Sequence, residues 1–280
     1  MLRTRLWMGC ILVALAVGVL VIDQWLPPWY PFLFVLVLGL SLVACFELLA
    51  LLGPARRPPA WFCYLAVAAL VAANWCAHVS EGGGSPWQWL AGTFAAVVLA
   101  AFVREMAVFQ EPGNSVLRVA LVVWIAAYLG LLPSFLAQLR WLPGDPSRGT
   151  TALALTIFVP KCCDIGAYFT GRFLGRHPMM PVLSPKKTWE GLAGGLAAAV
   201  TATAGINYLG PARLLPGAAA VVGFGITVGT AGVLGDLAES LIKRDCKQKD
   251  ASQVVPGFGG VLDVVDAILF AAPVAYFWLR

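Results

Sequence analysis

Residues 29–52 read WYPFLFVLVLGLSLVACFELLALL, a run far too long and too apolar for the core of a small soluble domain. A hydrocarbon layer about 30 Å thick asks for roughly 17–25 apolar residues of helix, and this run supplies them. Working outward, runs of the same kind fall near 6–22, 60–78, 87–109, 116–137, 151–171, 189–208, 214–235 and 261–279. Hydrophobic residues make up 60% of the 280-residue chain, and its mean hydropathy is +0.83. These values exclude a soluble globular protein. They predict an all-α polytopic membrane protein of about nine transmembrane helices, read as a single integral membrane domain over residues 1–280.

The breaks between runs carry helix-ending residues: Pro27-Pro28, Gly53-Pro54, Pro58-Pro59, Gly82-Gly83-Gly84, Pro112-Gly113 and Pro143-Gly144-Asp145-Pro146. Trp25, Trp29, Trp61, Trp87, Trp89, Trp141 and Trp189 stand near run ends, where interfacial aromatics belong. Arg3 and Arg5 before the first run imitate a signal peptide, but no small-x-small cleavage site precedes Trp25, so a retained first helix is expected. With the N-terminus cytoplasmic, fourteen Lys and Arg fall on the inner side and four on the outer, with Lys161 inside a span. That bias predicts the N-terminus inside, the C-terminus outside, and polar loops 172–188 and 236–260 in the cytoplasm. The formal charge of +5 therefore belongs to membrane-flanking loops and does not point to nucleic acid.

Residues 1–150 form an apolar helical half, and the chemistry concentrates in 151–280. The stretch 235–266, GDLAESLIKRDCKQKDASQVVPGFGGVLDVVD, gathers acids and bases in a chain that is only 12% charged. If the eighth helix continues past Gly235, then Asp236, Glu239, Ser240 and Lys243 lie at i, i+3, i+4 and i+7 on one face. A carboxylate pair on one face can take Mg²⁺, and Lys243 would neutralise a phosphate. A solvated helix end would look similar.

In PGFGGVLDVVD, Asp263 and Asp266 share a face at the start of a helix, which its dipole favours in any case. Asp263 could instead join Asp236 at a metal. In LSPKKTWEG, Lys186 and Lys187 follow a Pro-stiffened turn and Thr188 suits a helix N-cap; lipid headgroups and a phosphate site are both open as their partners. Lys161 and Asp164 at i, i+3 within a span are functional candidates or a structural ion pair. The seven cysteines (10, 45, 63, 76, 162, 163, 246) show no metal-type spacing and read as free, buried thiols. His78 and His177 are isolated.

Taken together, these segments resemble the phosphatidate cytidylyltransferase (CDP-diacylglycerol synthase) family. Ser240, Lys243, Arg244, Lys249, Asp250, Ser252, Pro256, Gly259, Gly260, Asp263 and Asp266 fall on its long signature with the spacing intact. DIGAYFTGR (164–172) and SPKKTWEG (184–191) are similar to its upstream motifs, in the same order. The resemblance covers roughly 155–275. Phe258 stands where the family usually has His, and Val264 where it usually has Arg.

The resemblance implies transfer of a cytidylyl group from CTP to phosphatidate, giving CDP-diacylglycerol and pyrophosphate in phospholipid biosynthesis. It implies catalytic Lys243, Asp236 and Asp263, with Mg²⁺ on Asp236, Asp263 and Asp266. Substrate contacts fall to Lys186, Lys187, Arg244, Ser240, Asp164, Lys249 and Asp250. The implied partners are CTP, phosphatidate and the bilayer, with no nucleic acid and with a homodimer left open. The implied location is a bacterial inner membrane, active site facing the cytoplasm. Two rivals stand beside this reading. One is a lipid or solute transporter, for which Lys161 and Asp164 speak; the other is a catalytically silent lipid-binding paralogue, for which Phe258 and Val264 speak.

Overall fold

The computed structural model describes residues 2–79, 85–248, 251, 252, 254, 255, 257 and 259–280; Lys249, Asp250, Pro256 and Phe258, drawn on above, lie outside the described residues. The chain is a helical bundle: α1 (Leu2–Asp23), α2 (Pro31–Leu51), a single turn α3 (Gly53–Arg56), α4 (Ala60–Val79), α5 (Pro86–Val108), α6 (Ser115–Ala126), α7 (Leu132–Gln138), α8 (Pro146–Leu174), α9 (Trp189–Leu209), α10 (Gly217–Asp245) and α11 (Val261–Leu279). Between α8 and α9 a short antiparallel hairpin pairs β1 (Pro178–Met180) with β2 (Ser184–Thr188). A π-helical turn, Ala127–Leu131, fuses α6 to α7, so Ser115–Trp141 acts as one span. Eight helices among the described residues are long and apolar enough to cross a membrane, and α1 adds a shorter apolar stretch, Trp7–Asp23. The protein is an integral membrane protein.

Local chemistry starts these helices. Asp23 at the end of α1 accepts the N–H groups of Phe32 (3.2 Å) and Leu33 (2.7 Å), satisfying donors that the first turn of α2 cannot pair internally. Asp145 accepts from Ser147 N (3.0 Å) ahead of α8. Thr188 accepts from Gly191 N (3.1 Å), the N-cap its sequence position predicts.

Three boundaries differ from the hydropathy reading. Helix α8 spans 146–174 in place of 151–171, with Pro160 inside it. The 172–188 segment is mostly the hairpin. Helix α10 runs ten residues beyond Gly235, so the loop placed over 236–260 shortens to 246–260. Hydropathy ends a helix at its first charges; this one continues because those charges find partners on neighbouring elements.

The core falls into two clusters that share α2, α4 and α11. One packs α8, α9 and α10 around Leu153, Val159, Cys163, Phe224 and Val228. The other packs α2, α4 and α6 around Leu48, Leu70 and Ile125. Helix α11 faces both, with Ala271 and Ala275 in the first and Leu262 and Leu269 in the second. All seven cysteines are free, and Cys45, Cys63 and Cys163 are buried as expected. Cys10 and Cys76 correct that expectation: both are exposed on helix surfaces, where a small apolar thiol suits a lipid-facing position.

Glycine at α10 sets the approach of its neighbours. A Cβ on Gly232 would sit 2.6 Å from the Pro160 Cβ of α8. One on Gly235 would strike the Asp266 carbonyl oxygen and lie 3.1 Å from Ala267 Cα. Small residues at such crossings let membrane helices touch backbone to backbone. Here the contact brings the acids of α10 beside Asp266 of α11.

Candidate active site

At that crossing, one carboxylate oxygen from each of Asp236, Glu239 and Asp266 lies within 4.8 Å of the others. Two of the three acids come from successive turns of α10, as the i, i+3 spacing predicts, and the third comes from α11. Glu239 and Asp266 are buried, at 1% and 4% exposure, in a region where an unpaired charge is costly.

Each acid meets a different lysine. Lys187 Nζ lies 2.7 Å from Asp236 Oδ2, off the hydrogen-bonding direction, so the pair is ionic without a formed hydrogen bond. Lys243 Nζ lies 2.5 Å from Glu239 Oε2 and 2.6 Å from Asp263 Oδ1. Lys161 Nζ lies 3.4 Å from Asp266 Oδ1 and 3.7 Å from Asp164 Oδ2. Five carboxylates thus face three ammonium groups, a formal charge of −2. Glu239 Oε1 is buried and has no hydrogen-bond partner among the described residues. An excess of two negative charges, three converging oxygens and one orphaned buried acceptor fit a divalent cation held by oxygen ligands.

Asp263 takes a different place from its three neighbours. Its Oδ1 is on Lys243, while Oδ2 accepts Gly260 N at 2.7 Å and Ala251 N at 3.4 Å. It sits at the third position of α11 and reaches back to the N-cap backbone, half of a capping box. Glu239, in its place, completes the converging set.

The alternation of β2 separates the two hairpin lysines: Lys187 points inward to Asp236, and Lys186 is exposed. Arg244 is exposed too and, among the described residues, reaches the Gln248 carbonyl at 3.5 Å. Ser240 is half-buried one turn beyond Asp236, and Val264 is half-buried on α11. Lys161 and Asp164, the best features for a transporter, belong to the same ion-pair network as Asp266.

The pattern of the Cytidylyltransferase family matches residues 3–280, nearly the whole chain. This chain belongs to the cytidylyltransferase family. Among named relatives, the phosphatidate cytidylyltransferase of Mycobacterium bovis is 37% identical over 166 residues, covering 59% of this chain and 52% of the relative. That of Mycobacterium tuberculosis (strain H37Rv) has the same identity over the same length and is covered to 48%. That of Brucella melitensis is 36% identical over 194 residues, covering 68% of this chain and 71% of the relative. The chain thus spans about half the length of its mycobacterial relatives.

One residue beside this candidate site escaped the sequence reading. Glu47 of α2, fully buried, accepts Val261 N (2.9 Å), Leu262 N (2.8 Å) and the Ser252 hydroxyl (2.6 Å). It satisfies the first N–H groups of α11 and fixes the segment that carries Asp263 and Asp266. A Cβ on Gly260 would sit 2.8 Å from its carboxyl carbon, so that glycine makes room for it. The signal was present as an acid inside the 29–52 run, near its end, since ionisable residues inside a span are functional candidates by default.

Proposed function

We propose that the protein transfers the cytidylyl group of CTP to phosphatidate, releasing pyrophosphate and forming CDP-diacylglycerol. The observation that carries this reading is the network of three converging carboxylates, each paired to its own lysine, in a member of the cytidylyltransferase family. The names of the relatives supply the lipid substrate class.

In the reaction, a phosphate oxygen of the lipid forms a bond to the α-phosphorus of CTP, and the bond to the bridging oxygen of the β-phosphate breaks. Both reactants are polyanions, so the task of the protein is neutralisation and alignment more than proton removal. Asp236, Glu239 and Asp266 would hold Mg²⁺, whose chemistry here is to draw charge from the triphosphate and from the departing pyrophosphate. An ammonium group has three donors, and among the described residues Lys187 contacts a single carboxylate, so it keeps the most N–H groups for phosphate. Lys243, held between Glu239 and Asp263, presents a fixed positive charge beside the acids, and Asp263 serves to orient it. Lys161 does the same on the α8 side. Lys186, Arg244, Ser240, Lys249 and Asp250 are secondary candidates for contact with substrate.

The charge bias of the connectors supports an orientation in which this end of the bundle faces the cytoplasm of a bacterial cell, where CTP is made. The test is transfer of label from CTP to phosphatidate by purified protein with Mg²⁺, beside an Asp263→Ala control and a chelator arm. Lipid-bound label that disappears in both controls is the expected result. A folded protein that binds phosphatidate and yields no labelled lipid would overturn the proposal in favour of a silent lipid-binding relative.

A further inference from the structure

A charged cavity lies at the same end of the bundle and shares no residue with the acid network. It has a volume of about 850 Å³ and is bounded by the ends of α2, α4, α5 and α6, with Arg57, Arg104 and Arg118 in its lining. Glu105 is the acid held between two of them: it is 6% exposed, pairs with Arg104 through one oxygen, and meets Arg118 at 2.9 Å through the other. Ser115 also holds Arg118, at 3.2 Å. The side chains of Arg104 and Arg118 are only 29% and 36% exposed. Arg57 has no carboxylate within ion-pair distance among the described residues.

Three guanidinium groups against one carboxylate leave a formal +2 in a concave site. A guanidinium has five N–H donors in a planar fork, and the pairing with Glu105 uses only some of them. The remaining wall is apolar, with Leu49, Val108 and Pro59. Half of this site therefore suits a phosphate and the other half suits hydrocarbon.

We propose that this cavity binds the phosphate of an anionic ligand at a site separate from the acid network, with Arg57 as the arm that no described carboxylate neutralises and the Glu105-braced pair as the preset floor. The ligand class is a phosphate ester with net negative charge, available as an acidic phospholipid headgroup or as a soluble phosphate. The role does not depend on the transfer reaction proposed above.

The test is native mass spectrometry of the purified protein in detergent, with phosphatidylglycerol and phosphatidylcholine offered at equal concentration. These lipids share a phosphodiester and differ in net charge. Inorganic phosphate and AMP are added in separate competition arms. We expect retention of phosphatidylglycerol over phosphatidylcholine by the parent, and loss of about tenfold in Arg57→Gln/Arg104→Gln, the size expected for losing charge-assisted hydrogen bonds. Displacement by inorganic phosphate or AMP at millimolar concentration would assign the cavity to a soluble phosphate; resistance to both would assign it to the lipid. Val108→Trp, which fills the apolar wall and leaves all three arginines, should also expel the ligand. Should the double variant not fold, Arg57→Gln alone decides, because that side chain lies outside the Glu105 pairing. Retention within twofold of the parent in the arginine and Val108→Trp variants, or equal retention of the two lipids by the parent, would overturn the site.

Discussion

Glu47 Oε2 accepts the backbone N–H of Leu262 at 2.8 Å, joining α2 to the first turn of α11 across 215 positions of sequence. The same carboxylate takes Val261 N and the Ser252 hydroxyl, so one acid of the apolar half holds the segment on which Asp263 and Asp266 stand. The N-terminal half therefore holds in place the segment that carries two acids of the candidate site.

Glu47→Ala leaves three donors without their acceptor in a buried place. A loss of more than about 2 kcal/mol is expected, at roughly 1–3 kcal/mol for each unsatisfied buried group. Thermal unfolding in detergent should show it, together with a fall in CTP transfer. Glu47→Gln keeps one carbonyl acceptor and should fall between Ala and the parent. An alanine variant as stable and active as the parent would remove Glu47 from this role.

Gly235→Ala places a methyl group against the Asp266 backbone and pushes α10 away from α11. A misplacement of about 1 Å at reacting groups can cost roughly 100-fold in rate, so a partial shift is expected to cost about tenfold. Turnover should drop at least that far while the protein remains folded by size-exclusion chromatography. Unchanged turnover would mean that the two helices can part without disturbing the acids.

The inward and outward lysines of β2 should behave differently. Lys187→Gln removes the partner of Asp236 and the proposed phosphate contact; a loss of about 10- to 100-fold in kcat/KM for CTP is expected from a charged hydrogen bond worth about 1.5–3 kcal/mol. Lys186→Gln, on the exposed side of the strand, should stay within about twofold, as substitutions away from buried contacts do. Equal losses would show that the hairpin moves when substrate binds.

Removing one converging oxygen ligand should weaken the cation. Glu239→Gln and Asp266→Asn are expected to raise the Mg²⁺ concentration for half-maximal activity by about tenfold or more, whereas Asp263→Asn, acting through Lys243, should shift it less and lower kcat instead. Titration of activity with Mg²⁺ decides between them. An equal or larger shift for Asp263→Asn would place that acid in the metal set.

The membrane class and nearly all of the helices were legible because hydrocarbon demands long, locally continuous apolar runs. The face shared by Asp236, Glu239, Ser240 and Lys243 was legible too, since helical periodicity is a property of seven residues and needs no neighbour. The end of α10 was not, because hydropathy stops at Gly235 while the helix runs on to Asp245, where Asp245 meets Arg56 at 3.3 Å. Asp263 resembled Asp236 and Asp266 in sequence. Only its bond to Gly260 N and its pairing with Lys243 set it apart.

By itself the sequence determined a bundle of apolar helices with its ionisable groups gathered near residues 161–266, together with its family signature. The tertiary structure decided which lysine faces which acid, that Glu239 converges with Asp236 and Asp266, and that Glu47 caps α11. The physical reason is distance along the chain: Lys161 and Asp266 are separated by 105 positions, and Glu47 and Leu262 by 215. In lipid, both the inner and the outer face of a helix are apolar, so hydropathy does not say which faces meet. Contacts such as Gly235 on Asp266 and Gly232 on Pro160 say it, through the shape of the packed backbone.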